Sequence, residues 1–148
     1  MEFTSVEMPW LKFYEKDNEN INVDFNLVNM SIYEYMKKGN INNPESIAID
    51  YFDRKITFGE FLDFIDQYAA AYKAQGVNSG EIVAKCMANT PEALISVYAL
   101  NKLGAKVQLI HPLSSANEIK ESLNKTKAKI MIALDSTYYK IKLILDET

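Results

Sequence analysis

Apolar residues recur along this chain in two periods, and the changes between them mark out its elements. Phe58, Phe61, Leu62, Ile65, Tyr68, Ala69 and Tyr72 follow steps of three and four, which predicts a helix with one buried stripe. Ala93, Leu94, Val97, Tyr98, Leu100 and Leu103 do the same over a broader arc, so this second helix is expected to be covered on more than one side. Between and after them stand short β-prone runs, Ile82 to Met87, Lys106 to Ile110 and Ala128 to Leu134. Strand–helix–strand alternation of this kind implies parallel pairing with right-handed crossovers. Two earlier runs, Ile47 to Tyr51 and Lys55 to Phe58, flank Phe52-Asp53-Arg54 and read as a small hairpin apart from that sheet.

The ends of the helices are written in capping residues. Ser31 with Glu34, Thr57 with Glu60 and Ser115 with Glu118 each place a hydroxyl three residues before a glutamate, the reciprocal arrangement of a capping box. The first of these helices is expected to stop at Gly39, the second at Gly76, and the third to run to about Lys125. Thr90 is the expected cap of the helix that begins at Pro91, and Gly104 supplies the left-handed residue after it. The tail from Tyr138 to Asp146 fits either period, but Asp135 and Ser136 are good caps and favour helix. Residues 1–30 show no sustained period. They read as an N-terminal arm anchored by Pro9, Trp10, Leu11, Phe13 and Tyr14, with residues 31–148 forming the α/β subdomain.

Composition narrows the class without naming a function. With 148 residues, 48% hydrophobic and 24% charged, the chain has the size and make-up of one globular domain. Its N-terminus carries no basic cluster and is not read as a secretory signal, and no apolar run approaches the ~20 residues of a membrane helix. A single cysteine, Cys86, points to a reducing, cytoplasmic setting and sits where a small hydrophobe belongs. Net charge is −4, and Arg54 is the one arginine among 16 basic residues. The lysines are interleaved with acids, which argues against nucleic-acid binding.

The chemistry expected of common site motifs is missing. The five glycines, Gly39, Gly59, Gly76, Gly80 and Gly104, are never spaced as in a dinucleotide or P-loop fingerprint. One histidine and one cysteine do not make a tetrahedral metal site, so no metal is expected. Asp63 with Asp66 reads as a solvated helix face, and Asp50 with Asp53 as part of the hairpin turn. His111 is the sharpest single candidate, since it follows a predicted strand at the carboxyl end where open α/β sheets place ligands. A general base, a ligand or domain contact, and ordinary loop chemistry all remain open for it.

Taken in order, the segments resemble the opening region of AMP-forming acyl-CoA synthetases, in the superfamily shared with luciferases and peptide-synthetase adenylation domains. Ser31-Ile32-Tyr33-Glu34-Tyr35 resembles an early helix of that family, and Pro44-Glu45-Ser46-Ile47-Ala48-Ile49 its first strand. Lys55-Ile56-Thr57-Phe58-Gly59-Glu60-Phe61 is similar to the Leu-Thr-Tyr-x-Glu-Leu motif. Val83 to Glu92 is similar to the strand and Asn-x-Pro/Ser-Glu turn. Ala99-Leu100-Asn101-Lys102-Leu103-Gly104-Ala105 then resembles Ala-x-x-Lys-x-Gly-Ala. The resemblance covers residues 8 to 148. Gln108, in a strand the family fills with apolar residues, and His111-Pro112, in place of Asn-Pro or Asp-Pro, depart from the pattern.

The resemblance implies an N-terminal subdomain, a parallel sheet with helices on both faces plus a small hairpin, belonging to a larger AMP-binding domain. It implies a two-step parent reaction of fatty-acid metabolism, from carboxylate through acyl-adenylate to acyl-CoA, using ATP, Mg2+ and CoA. The Ser/Thr/Gly-rich ATP loop, the adenine and ribose contacts and the C-terminal lysine of the family fall after the matched segments. No catalytic or cofactor-binding residue is therefore expected in this chain, and alone it is expected to be inactive. His111 is the one residue assigned to the substrate pocket. The expected partner is the remainder of the enzyme, with a homodimer through exposed apolar surface as a second arrangement. The alternative reading is a free-standing, non-catalytic α/β interaction module that kept the scaffold.

Overall fold

The computed structural model describes residues 29–147. The proposed anchor from Pro9 to Tyr14 lies outside them. The chain runs α1 (Ile32–Asn40), β1 (Ile47–Tyr51), β2 (Arg54–Thr57), α2 (Phe58–Ala74), β3 (Ile82–Cys86), α3 (Pro91–Lys102), β4 (Lys106–Leu109), α4 (Ala116–Thr126), β5 (Ile130–Ala133) and α5 (Asp135–Lys142), then a 3-10 turn at Leu145–Glu147. β3, β4 and β5 form a sheet of order β4-β3-β5, and both pairings are parallel. β1 and β2 pair antiparallel in a separate two-stranded sheet. The expected architecture is the observed one.

Helices cover both faces of the parallel sheet because alternate residues of β3 are apolar on both sides. Val83 packs with Leu100 of α3, Val77 and Ala105. Ala84 and Cys86 point the other way, into a cluster with Ile119 and Leu123 of α4 and with Ile144. α3 then presents a second apolar side, where Ile95 and Ala99 meet Phe61, Ile65 and Ala69 of α2, Tyr33 of α1 and Ile56 of β2. The broad apolar arc read from α3 is thus a helix between two layers.

All three capping boxes form, each with the hydroxyl accepting from the glutamate N–H and the glutamate accepting from the cap N–H. Thr90 caps α3 at Ala93 N–H, with Pro91 in the first turn. Three details differ from the sequence reading. The hairpin turn is two residues, Phe52 and Asp53, both at positive φ (48° and 64°), and Arg54 belongs to β2, where its guanidinium lies 3.9 Å from Glu92. The cap of α5 is Leu134, with no side-chain bond. Asp135 is already helical, and its Oδ1 accepts from the next N–H, that of Ser136. α1 runs one residue past Gly39, whose φ is not positive, because Asn40 Nδ2 donates to Met36 O and holds the last turn.

Gln108, the polar departure in β4, has a structural account. Its side-chain amide donates to Ser122 Oγ and Ser122 O, and its Oε1 accepts from Thr126 Oγ1, at 2.6, 3.0 and 2.6 Å. These bonds tie the C-terminal half of α4 to β4.

Candidate functional site

The chemistry-bearing side chains meet at the carboxyl ends of β3 and β4. A cleft of ≈ 640 Å³ opens there, walled by Lys85, Met87, Ala88, Asn89, Leu109, Ile110, His111, Pro112 and Leu113. Ligands of open α/β sheets bind outside these ends. The strand order reverses between β3 and β5, and the cleft flanks that reversal on the β4 side.

His111 is exposed, just past the carboxyl end of β4, and lies on the cleft wall. Ile110 N–H donates to Lys85 O at 2.9 Å, so the β3–β4 ladder runs on to the residue before the histidine. Ser114 N–H then closes a turn on His111 O at 3.0 Å. Leu113 N–H donates to the ring Nδ1 at 3.2 Å, which leaves the hydrogen of the neutral ring on Nε2. Lys140 of α5 grips the same loop by donating to Pro112 O and Ser114 O at 3.3 and 3.0 Å. No acidic residue lines the cleft, so the ring has no carboxylate there to orient it as a base.

Lys85 is the residue that sequence reasoning passed over. It stands in the central strand with only 8% of its surface exposed, on the same side of the sheet as Val83. Its Nζ donates to Ala93 O in the first turn of α3 at 3.2 Å. Burial pushes its ammonium pKa below the ordinary lysine value of 10.5. A lysine between Ala84 and Cys86 in an otherwise apolar run was the available signal.

Cys86 is fully buried, and burial pushes its thiol pKa up, while Lys140 pulls weakly the other way. Its Sγ lies 3.8 Å from His111 O. Such a thiol is a packing group. Asp63 is exposed on α2, and Asp66 on the same helix pairs with Lys102. Among the described residues no three His, Cys, Asp or Glu side chains gather as metal ligands, and no helix is long and apolar enough to cross a membrane.

The lowered Lys85 pKa predicts a pH dependence. The unfolded chain binds this proton more tightly than the folded one, so stability rises as pH climbs from the depressed folded value to 10.5, and is lost on the way down. Cys86 and Tyr72, whose pKa values burial raises, act in the opposite sense, losing their contribution as pH rises past 9.0 and 10.0. Comparison with Lys85→Met cancels both. The native chain is expected to gain stability relative to Lys85→Met across the alkaline range, read from urea midpoints. Parallel curves would show that Lys85 is not desolvated.

Comparison with known proteins decides the family. Residues 38–147 match the family model described as AMP-binding enzyme. The chain belongs to the AMP-binding enzymes. It is 27% identical over 134 residues to a long-chain-fatty-acid–CoA ligase of Bacillus subtilis (strain 168), covering 90% of this chain and 23% of that protein. Acetyl-coenzyme A synthetase 2 of Saccharomyces cerevisiae is 31% identical over 121 residues, covering 80% of this chain and 17% of that one. Among solved structures, an anthranilate CoA ligase bound to anthranoyl-AMP superposes with a TM-score of 0.75 at 23% identity, over 79% of this chain and 23% of its own. At that identity it speaks for the fold alone. This AMP-binding chain thus spans less than a quarter of the length of these relatives.

Proposed function

We propose that this chain is the N-terminal scaffold of an ATP-dependent acyl-CoA synthetase, an incomplete part of a larger AMP-binding domain. The observation that carries the reading is the match across residues 38–147. It is supported by relatives that are acyl- and acetyl-CoA-forming enzymes four or more times longer than the part they share with it. The subdomain begins at α1, and the remainder of the enzyme is its principal partner. The single cysteine supports a cytoplasmic setting.

Among the described residues nothing favours a site for ATP or its magnesium. Among the described residues Gly76, Gly80 and Gly104 take positive φ at separate positions in the chain, which does not support a phosphate cradle built from closely spaced glycines. The described carboxylates form no metal cluster. No step of adenylation is assigned to this chain. His111 and the adjoining strand ends are assigned to one wall of the acyl pocket.

Pyrophosphate exchange across acetate, medium-chain, long-chain and aromatic acids tests the reading. The 148-residue chain is expected to be silent, and a longer polypeptide carrying the rest of the enzyme active. Exchange by the chain alone would overturn the scaffold reading. A folded longer polypeptide that is also silent would favour the non-catalytic module.

A second expectation concerns association. β4 and β5 are the outer strands of the parallel sheet, and Leu109, Leu113 and Leu143 are 69%, 81% and 71% exposed. Open edges beside apolar surface favour pairing. The isolated chain is expected to dimerise on concentration in sedimentation velocity runs. A monomer at all concentrations would refute this.

A further inference from the structure

His111 is held by a chain of contacts that ends outside its own loop. Leu113 N–H donates to the ring Nδ1 at 3.2 Å, and Ser114 N–H donates to His111 O at 3.0 Å. The loop adds little packing of its own, since Leu113 is 81% exposed and His111 and Leu109 are exposed beside it. A hydrogen bond at such a site competes with water, so it orients the ring only where its donor is itself held.

That donor is held from α5. Lys140 Nζ donates to Pro112 O at 3.3 Å and to Ser114 O at 3.0 Å, the carbonyls of the two residues beside Leu113. Pro112 C=O and Leu113 N–H belong to one peptide group. The group is planar, with its C=O and N–H pointing in opposite directions, so an ammonium on the oxygen fixes where the N–H points. The second bond, to Ser114 O, stops the plane from turning about the first. The base of the lysine is fixed too, because Thr137 and Ile141 on the same helix are buried. α5 follows β5 and the loop follows β4, with β3 between these strands in the sheet, so the contact joins the two flanks of the cleft's central strand.

We propose that Lys140 is the positioning residue for His111. Through the Pro112–Leu113 peptide it sets which ring nitrogen accepts, which one carries the hydrogen, and how the ring meets the cleft. The lysine acts through the histidine and touches no ligand itself. The value of this for function rests on the reading of the cleft as one wall of the acyl pocket, while the positioning is measured without any ligand.

His111 is the one histidine of the chain, so its ring nitrogens give a single pair of NMR signals. The pair is recorded for the 148-residue chain at about pH 8.5, where neutral imidazole dominates, with the urea-unfolded chain as the unrestrained reference. The native pair is expected to be displaced from that reference towards the pure Nε2–H form. In Lys140→Met it is expected to move most of the way to the reference, and Leu113 N–H to exchange roughly fivefold faster, the scale of one hydrogen bond. Lys140→Arg keeps the charge and the donors and is expected to retain the native signals. Lys120→Met removes the ion pair to Glu147, just after α5, and is expected to leave the ring as it is. Lys140→Gln is the second variant if the methionine chain fails to fold. The proposal is overturned if the native pair coincides with the reference, if Lys140→Met leaves it unmoved, or if Lys120→Met moves it as far. In a longer, active polypeptide Lys140→Met is expected to raise the KM for the acid several-fold. An unchanged KM beside a moved ring would sink the acyl-wall reading and leave the positioning intact.

Discussion

Replacing Leu100 with alanine is expected to cost about 3 kcal/mol of stability, within the ~2–5 kcal/mol typical of buried Leu→Ala changes. Leu100 is fully buried on the sheet side of α3, against Val77, Val83 and Ala105, with Tyr72, Leu103, Val107, Ile130 and Ile132 around it. Its neighbours come from the sheet, from α2 and from the loop before β3, so no single element can shift to fill the space. A loss of that size corresponds to a fall in Tm of roughly 6–12 °C for a domain near this length. The matched control is Leu94, on the same helix but 43% exposed, where alanine is expected to change stability by about 0.5 kcal/mol or less. Equal effects at the two positions in urea denaturation would show that α3 is not packed on the sheet as described.

Gly104→Ala is expected to cost roughly 2–4 kcal/mol, by two separable routes. Gly104 has φ +73°, where a side chain collides with its own backbone, and an added Cβ would lie 2.6 Å from Ser79 Oγ and 3.3 Å from Ser79 Cβ. The approach is close because Gly80 N–H donates to Gly104 O at 2.8 Å and Lys106 N–H to Glu81 O at 2.7 Å, tying the entrance of β3 to that of β4. Ser79→Gly in the same chain removes the collision and leaves the backbone strain. The double variant is therefore expected to regain part of the loss, with ~1–2 kcal/mol remaining. Full recovery would mean that φ strain contributes nothing. No recovery would mean that the serine is not in the way.

What could be read along the chain is local. A capping box is satisfied by residues three apart, and the left-handed exit at Gly104 is set within a few residues of the helix end, so Ser31, Thr57, Thr90 and Ser115 announced their helices correctly. The same logic misled at α5. Asp135 has a capping side chain but lies one residue inside the helix, and the extended residue before it, Leu134, takes the cap position without a side-chain bond. Parallel pairing was also legible, since strands separated by a crossover helix have little choice of direction. The position of His111 followed from the strand that precedes it.

The sequence by itself determined the element order, the capped helices, the hairpin and the class of sheet, because each depends on residues within a turn or two of one another. Only the tertiary structure decided which polar residues inside strands were structural and which were available. Gln108 and Lys85 both interrupt apolar runs, and the residues that distinguish them lie on other elements. α4 offers Gln108 three hydrogen bonds and closes it into the fold. α3 offers Lys85 one carbonyl, and the edge of β4 leaves a cleft beside it. A side chain's unmet hydrogen-bonding capacity is set by the neighbours that packing brings to it, and those neighbours are distant in sequence.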